Sequence, residues 1–201
     1  MTRSLLKLSA IFTPLGILVP MVSGVLTPGY SSIRQQMSEL EMLGGLANVA
    51  TRTGSIVSGV AILAFALALV LQKPTRMPFT AFLASFFGIN MISNGIFMMG
   101  GPLHGLYGIG LTIILVPASF AAERRHDPHD RQTDQLSLLA AVLILVYMWA
   151  QLTGQDPAPF RGLTQRLDSV VMFGWFSYAS AKLLSCTEHA PAIQAGVVMS
   201  Q

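Results

Sequence analysis

The sequence predicts an all-α, polytopic membrane protein, a six-transmembrane-helix bundle with a short amphipathic interfacial helix between spans 1 and 2. Composition gives the first two observations. Of the 201 residues, 52% are hydrophobic and only 10% are charged, whereas about 25% are charged in a soluble domain. Mean hydropathy is +0.60. The third observation is that apolar stretches of about 20 residues, the length needed to cross the hydrocarbon of a bilayer, recur along the chain.

Six of these stretches are predicted as spans. In chain order they are Leu5–Leu26, Thr53–Gln72, Pro78–Met99, His104–Ala122, Leu136–Leu152 and Leu167–Leu184. No internal repeat or low-complexity segment divides the chain, so residues 1–201 are predicted to form one domain. Small residues within the spans, glycines above all, permit close contact between helices.

The first span has features in common with a secretory signal peptide. Arg3 and Lys7 precede or enter its apolar centre, and small residues follow that centre. However, the apolar stretch is longer than the central region of a typical signal peptide, and it contains Pro14 and Pro20. We therefore expect a retained helix.

The distribution of basic residues predicts the orientation. When alternate loops are assigned to alternate sides, one side receives eight Lys and Arg residues and the other receives four. The side richer in Lys and Arg is normally cytoplasmic. This predicts a multi-pass protein of the cell inner (plasma) membrane with both termini in the cytoplasm.

The polar stretch YSSIRQQMSEL, Tyr30–Leu40, lies between the first two spans. Ile33, Met37 and Leu40 recur at helical spacing, with Glu41 assigned to the opposite, polar face. A helix of this length is too short to cross a bilayer, so it should lie in the outer interface or fold over the mouth of the bundle. Two interpretations stay open: a cover for helix ends, or one wall of a site.

Polar residues are concentrated in the predicted outer halves of four spans. Because such groups are costly in hydrocarbon, they tend to face the bundle interior or a wet cavity. The sequence therefore predicts one outer pocket. Its candidate ligand-binding residues are Arg34, Ser38, Glu39, Arg52, Asn90, Asn94, His104, Tyr107, Gln165 and Arg166. Each also has a structural interpretation: the asparagines can join helices, and the arginines can reach the interface.

Three functions are compatible with this pocket, and whether the protein is an enzyme stays open. The first is binding or transport of a small amphiphilic or anionic ligand, since arginines suit a phosphate or carboxylate head group. The second is an accessory or structural subunit of a larger membrane complex. The third is an intramembrane serine hydrolase, with Ser38 as nucleophile, His104 as base and Glu39 as the residue that orients the base.

Several partners are not expected. The pI of 9.4 does not indicate nucleic-acid binding, because most basic residues lie at span ends, where they set orientation. The single cysteine, Cys186, excludes an intramolecular disulfide and a cysteine metal cluster. No metal and no cofactor are predicted, and membrane lipid is the expected surrounding partner.

Three motifs carry a resemblance to a known family. They are GYSSIRQQMSELEMLGG after the first span, LHG at the fourth and RGLTQRLDSVVMFGW at the sixth. Together they resemble the bacterial and archaeal membrane family named domain of unknown function 998, over essentially the whole chain. The resemblance implies a six-helix fold and no established activity. The family often has an acidic residue near the turn before the histidine, but the corresponding stretch MMGGPLHG has none. A reaction at His104 that requires a neighbouring acid would therefore need one from another part of the chain.

Overall fold

The computed structural model describes residues 1–72, 77–124 and 131–198, with side chains to residue 186. Within these ranges the chain is helical and contains no strand. The α-helices are α1 (Thr2–Leu26), α2 (Gly45–Gln72), α3 (Phe79–Ile96), α4 (Val116–Arg124), α5 (Arg131–Leu152) and α6 (Arg161–Val198); the 3-10 segments are Met37–Leu43, Leu106–Ile114 and Ala158–Phe160. Lys73, Arg76 and Arg125, which contribute to the predicted charge difference, lie outside the described residues.

Four described helices, α1, α2, α3 and α5, are long and apolar enough to cross a membrane. A fifth crossing is possible if the 3-10 segment Leu106–Ile114 and α4, which meet at an angle of 43°, form one broken span. These apolar helices are consistent with an integral membrane protein. The sixth predicted span, Leu167–Leu184, lies within α6.

Glycines bring α1, α2 and α3 into backbone contact. A Cβ atom added to Gly54 of α2 would collide with the carbonyl oxygen of Gly16 on α1, and one added to Gly59 would lie 2.6 Å from the carbonyl oxygen of Gly88 on α3. No side chain larger than hydrogen fits at these positions without movement of the backbone. Close approach of this kind is typical of helix packing in membranes, where small residues line the interface.

A side chain of α6 donates a hydrogen bond to a backbone carbonyl of α1 that has no donor within its own helix. Proline has no N–H group, so Pro14 leaves the carbonyl of residue i−4, which is Ala10, without its helical donor. Ser177 of α6 supplies a donor instead, with its Oγ 2.6 Å from the Ala10 oxygen. The two helices nearest the chain termini are therefore joined at a position where α1 alone could not satisfy its own backbone.

The predicted helix over residues 30–40 is absent. The structure has a turn around residues 32–34, followed by the 3-10 segment Met37–Leu43. The helix is interrupted at Gln36, whose backbone is extended (ψ 153°) and whose N–H donates to the Glu39 side chain instead of to a carbonyl one turn earlier. Met37 and Leu40 are buried as expected, but Ile33 is exposed.

The predicted fourth span also begins differently. Instead of an α-helix from His104, the chain has a turn and then a 3-10 segment. Gly105 and Gly108 have φ values of +78° and +80°, and Leu106 and Tyr107 between them are also left-handed. Left-handed residues cannot continue a right-handed helix, so no α-helix runs on from His104. The α-helix begins at Val116, after the 3-10 segment.

Candidate functional site

A cavity of about 350 Å³ opens at the end of the bundle where residues 37–41, the C-terminal half of α3 and the first turns of α6 meet. Side chains of two kinds line it. The polar lining includes Ser38, Glu41, Asn90, Asn94, His104 and Gln165, and the apolar lining includes Ile17, Phe87, Met91, Met172 and Phe173. The structure thus gathers Ser38, Asn90, Asn94, His104 and Gln165, all candidates from the sequence, around one space.

The 3-10 segment Met37–Leu43 forms one wall, and Glu39 stabilises its start. Oε1 of Glu39 accepts the backbone N–H of Gln36 at 2.9 Å, and Oε2 accepts from Nε2 of Gln35 at 3.4 Å. Among the described residues Glu39 forms no ion pair with an arginine. Glu39 is occupied as a helix cap, and it does not line the cavity.

Glu41 is the buried acid of the site, although the sequence assigned it to a solvated face. Only 2% of its surface is exposed. The backbone N–H of Met99 donates to its Oε2 at 2.9 Å, and Nδ1 of His104 lies 3.9 Å from the same oxygen. Burial raises the pKa of Glu41, while the Met99 hydrogen bond and the charges of His104 and Arg52 act in the opposite direction. The acid missing from the turn before His104 is therefore supplied by the 3-10 segment.

The hydrogen bond of His104 defines which ring nitrogen faces the backbone. Nδ1 donates to the carbonyl oxygen of Phe97 at 2.9 Å, since a carbonyl can only accept. In the neutral imidazole the other nitrogen, Nε2, then carries the lone pair. His104 can thus offer an acceptor at Nε2 while Nδ1 stays tied to the end of α3.

The two asparagines of α3 have different roles. Oδ1 of Asn94 accepts the backbone N–H of Gly105 at 2.6 Å, and nearby Ser93 donates to the Leu103 carbonyl at 2.8 Å. These bonds hold the turn that carries His104. Asn90 is only 7% exposed, and its Oδ1 has no hydrogen-bond partner among the described residues.

The three arginines expected at the site do not line the cavity. Arg34 is exposed. Arg52 donates to the carbonyl oxygens of Gly95 and Ile96, both at 2.9 Å, and so caps the C-terminus of α3, where a cation is favourable. None of the described arginines is therefore placed to bind an anionic head group inside the cavity, contrary to the expectation from the sequence.

Arg166 holds the turn of residues 30–35 against α6. Its Nη1 donates to the carbonyls of Ser32 (2.7 Å), Gln35 (3.1 Å) and Gly162 (2.8 Å). Its Nη2 donates to the Tyr30 hydroxyl at 2.7 Å. Burial raises the pKa of Tyr30, and Arg166 opposes that rise. The neighbouring Oε1 of Gln165 accepts the backbone N–H of Met37 at 2.7 Å, so α6 fixes both the turn and the 3-10 segment.

Tyr107 lies away from the site. It is 83% exposed and does not line the cavity. The sequence placed it one helical turn from His104, but the left-handed backbone between residues 105 and 108 directs the chain differently. Tyr107 is therefore removed from the candidate residues.

Besides Glu41, two further polar groups were not among the predicted site residues. Tyr147 of α5 lines the cavity, and Asp168 of α6 is only 5% exposed. The Tyr147 hydroxyl and both carboxylate oxygens of Asp168 have no hydrogen-bond partner among the described residues. Glu41 was detectable, because it lies three residues after Ser38 and a 3-10 helix brings positions i and i+3 to one face.

In the described part of the chain, no group of three or more His, Cys, Asp or Glu side chains is placed to hold a metal ion. The cavity offers a ligand hydrogen-bonding groups, one buried carboxylate and one imidazole, all beside an apolar wall. The fold and site thus define a helical protein, consistent with an integral membrane protein, that has a half-polar cavity at one end of its bundle.

The chain belongs to the family described as protein of unknown function (DUF998), whose model matches residues 10–182. That match includes every residue that lines the cavity. No curated protein and no solved structure matches the chain.

Proposed function

We propose that this protein binds or transports a small amphiphilic molecule, held in the cavity between residues 37–41, α3 and α6. The observation that carries the proposal is the division of the cavity lining. Its polar groups, including Glu41, Asn90 and His104, lie beside an apolar wall that includes Phe87 and Phe173. A ligand with one polar and one apolar end would satisfy both walls, whereas a fully polar or fully apolar ligand would satisfy one.

The cavity volume also fits a small ligand. About 350 Å³ lies near the lower limit of the roughly 300–1,000 Å³ typical of small-molecule sites. The unpartnered Oδ1 of Asn90 supports an occupied site, since a buried polar atom normally has a hydrogen-bond partner. A ligand hydroxyl or amine would provide one.

The proposal includes a membrane arrangement. One domain of six spans results if the bent pair, Leu106–Ile114 with α4, counts as the fourth span and α6 as the sixth. The charge difference between alternate loops favours cytoplasmic termini in the inner (plasma) membrane. The cavity then opens at the outer side, where residues 30–43 would lie at the interface.

Photolabelling tests the binding proposal. An alkyl diazirine probe with a terminal hydroxyl would be irradiated with the protein in nanodiscs, and labelled residues would be mapped by mass spectrometry. We expect labelling of Met91, Met172 or Phe173 in the cavity. Ser169→Phe places a ring in the cavity, because Ser169 is buried and lines it, and should abolish this labelling.

Val170→Phe is the matched control, because Val170 is the next residue on α6 but is exposed on the outside of the bundle. This variant should label the cavity as the wild type does. If the probe labels only exposed residues in the wild type, or if both phenylalanine variants behave alike, the proposed binding site is wrong.

A second candidate function is a serine hydrolase. It is favoured by the proximity of a carboxylate, Glu41, to Nδ1 of His104, together with the presence of Ser38 in the same cavity lining. Glu41 would be the acid of such a site in place of Glu39, while the Phe97 carbonyl, which accepts from Nδ1, orients the ring. A fluorophosphonate probe should then label Ser38, and Ser38→Ala or His104→Gln should abolish labelling; an unlabelled wild type excludes this function.

A further inference from the structure

We propose that the polar end of the ligand is a primary ammonium group, so that the protein recognises an amine on an apolar chain. This inference rests on the proposed binding function and names the chemical class that the same cavity takes. It reverses the expectation of an anionic head group. Three features of the cavity support it, and each concerns the hydrogen-bond acceptors and charges that a ligand would meet.

The first feature is Glu41. Its carboxylate is almost completely buried and lines the cavity, and only one of its two oxygens, Oε2, receives a hydrogen bond, from Met99. Oε1 has no hydrogen-bond donor among the described residues. A carboxylate has about four acceptor positions, so Glu41 can still receive N–H groups from a ligand.

The second feature is Asn90. This side chain lines the same cavity, and its Oδ1 is buried without a donor. Glu41 and Asn90 therefore both present unused oxygen acceptors. An ammonium group has three donors and no acceptor, and so is complementary to such a pair. A carboxylate or phosphate ligand would bring further acceptors and leave these atoms unsatisfied.

The third feature is charge. Among the described residues that line the cavity, none is Arg or Lys. Arg166 donates to backbone carbonyls away from the cavity, and Arg34 is exposed. Arg52 donates to carbonyls at the end of α3 and does not line the cavity, although its charge acts on Glu41. A cationic ligand would be attracted by the Glu41 carboxylate, and an anionic ligand would be repelled.

An ammonium on an apolar chain can come from two sources, an aminolipid head group or a free alkylamine. Both present the same donors to Glu41 and Asn90. The test therefore includes nanodiscs of phosphatidylcholine alone and nanodiscs that also contain phosphatidylethanolamine. Loss of alkylamine binding in the second preparation would identify the lipid head group as the source, and unchanged binding would identify the free amine.

The experiment measures competition against the hydroxyl diazirine probe at the cavity residues. Octylamine, octanol and octanoate would be compared by the concentration that halves labelling. Octylamine should be effective at a concentration roughly tenfold lower than octanol, and octanoate should be the weakest, because a hydrogen bond to a charged group is stronger than a neutral one. In E41Q, the advantage of octylamine over octanol should disappear.

Glu123→Gln is the matched control. Glu123 also accepts backbone N–H groups, those of Phe79 (2.5 Å) and Thr80 (3.2 Å), but it does not line the cavity. This variant should preserve the order octylamine, octanol, octanoate. Comparison of one competitor between variants also cancels its partitioning into lipid.

Failure of this inference differs from failure of the binding proposal. If the hydroxyl probe labels the cavity but octanoate competes as well as octylamine, or E41Q leaves the amine preference intact, ammonium recognition is wrong and binding stands. If the hydroxyl probe does not label the cavity at all, the binding proposal fails and the inference fails with it.

Discussion

Oε2 of Glu41 lies 3.9 Å from Nδ1 of His104, although the whole of α2 and α3 separates these residues in the chain. Both side chains are held in place by hydrogen bonds to the backbone after α3, and no hydrogen bond joins them to each other. Residues 37–43 bring the acid, whose Oε2 binds the N–H of Met99 just after α3, and the turn after α3 brings the imidazole, whose Nδ1 binds the carbonyl of Phe97. The end of α3 thus positions both groups through its backbone.

The pH dependence of stability should identify Glu41. Because burial raises its pKa above the ordinary 4.5, the folded state holds the proton more tightly than the unfolded state. Its favourable contribution is complete below pH 4.5 and is lost as pH rises through the pKa of the folded state. Among the described residues, His104 and Arg52 act electrostatically on Glu41.

Glu41→Gln mimics the protonated acid and lacks this loss. Thermal unfolding of the purified protein should therefore show E41Q gaining stability relative to the wild type as pH rises above 4.5. A difference in midpoint that is constant with pH, or that falls as pH rises, contradicts the assignment.

Removal of Arg166 should release the turn of residues 30–35. Arg166→Ala deletes four hydrogen bonds to Tyr30, Ser32, Gln35 and Gly162, and we expect a loss of about 2–4 kcal/mol in the free energy of unfolding. Trypsin should cleave after the exposed Arg34 faster than in the wild type. Tyr30→Phe removes only the hydroxyl and should give an intermediate rate; equal rates in all three proteins would disprove the clamp.

Gly162→Ala should move the same turn by steric conflict. A Cβ atom at Gly162 would collide with the carbonyl oxygen of Gln35 and lie 2.7 Å from that of Ser32. Overpacking of this kind costs roughly 1–3 kcal/mol. Gly174→Ala on the same helix meets nothing within 4 Å and is the control. The prediction is wrong if thermal unfolding gives the same midpoint for the two alanine variants.

The bond between Ser177 and Ala10 should depend on Pro14. Ser177→Ala removes the donor to the Ala10 carbonyl and should cost about 0.6–1 kcal/mol. In a Pro14→Ala background the N–H of residue 14 can serve Ala10, so Ser177→Ala should then cost less. A double-mutant cycle measures the difference, and strict additivity would show that proline and serine are not coupled.

Chemical labelling tests the proposed orientation. Cys186 is exposed near the end of α6, and Ala158 is exposed just before that helix begins. In intact cells, an impermeant maleimide should label Ala158→Cys in a Cys186→Ser background, while wild-type Cys186 should react only after permeabilisation. The reverse pattern would place the cavity on the cytoplasmic side.

The sequence was sufficient for features that depend on composition. Apolar runs identify α1, α2, α3 and α5 as candidate spans, and three motifs identify the family. These properties are averages over many residues. They do not depend on the conformation of any one of them.

The details of the cavity needed the structure because they depend on local backbone geometry. The helical pattern placed Glu41 on the polar face together with Ser38, but only the folded contacts with Met99 and His104 show that this acid is buried at the cavity. Left-handed residues at 105–108 moved Tyr107 outward. The sequence assigned the arginines to ligand binding. In the structure, Arg52 and Arg166 donate instead to backbone carbonyls that have no helical partner, at a helix end and in a turn.

The bond from Ser177 to Ala10 has a consequence for biogenesis. In the proposed membrane arrangement, spans would enter the membrane in order, so α1 would reach lipid long before the ribosome has made residue 177. Until then the Ala10 carbonyl lacks both its helical donor and Ser177, in a medium where an unsatisfied group is costly. In that arrangement, α1 would gain the missing hydrogen bond of its Ala10 carbonyl only after α6 has been made and has packed against it.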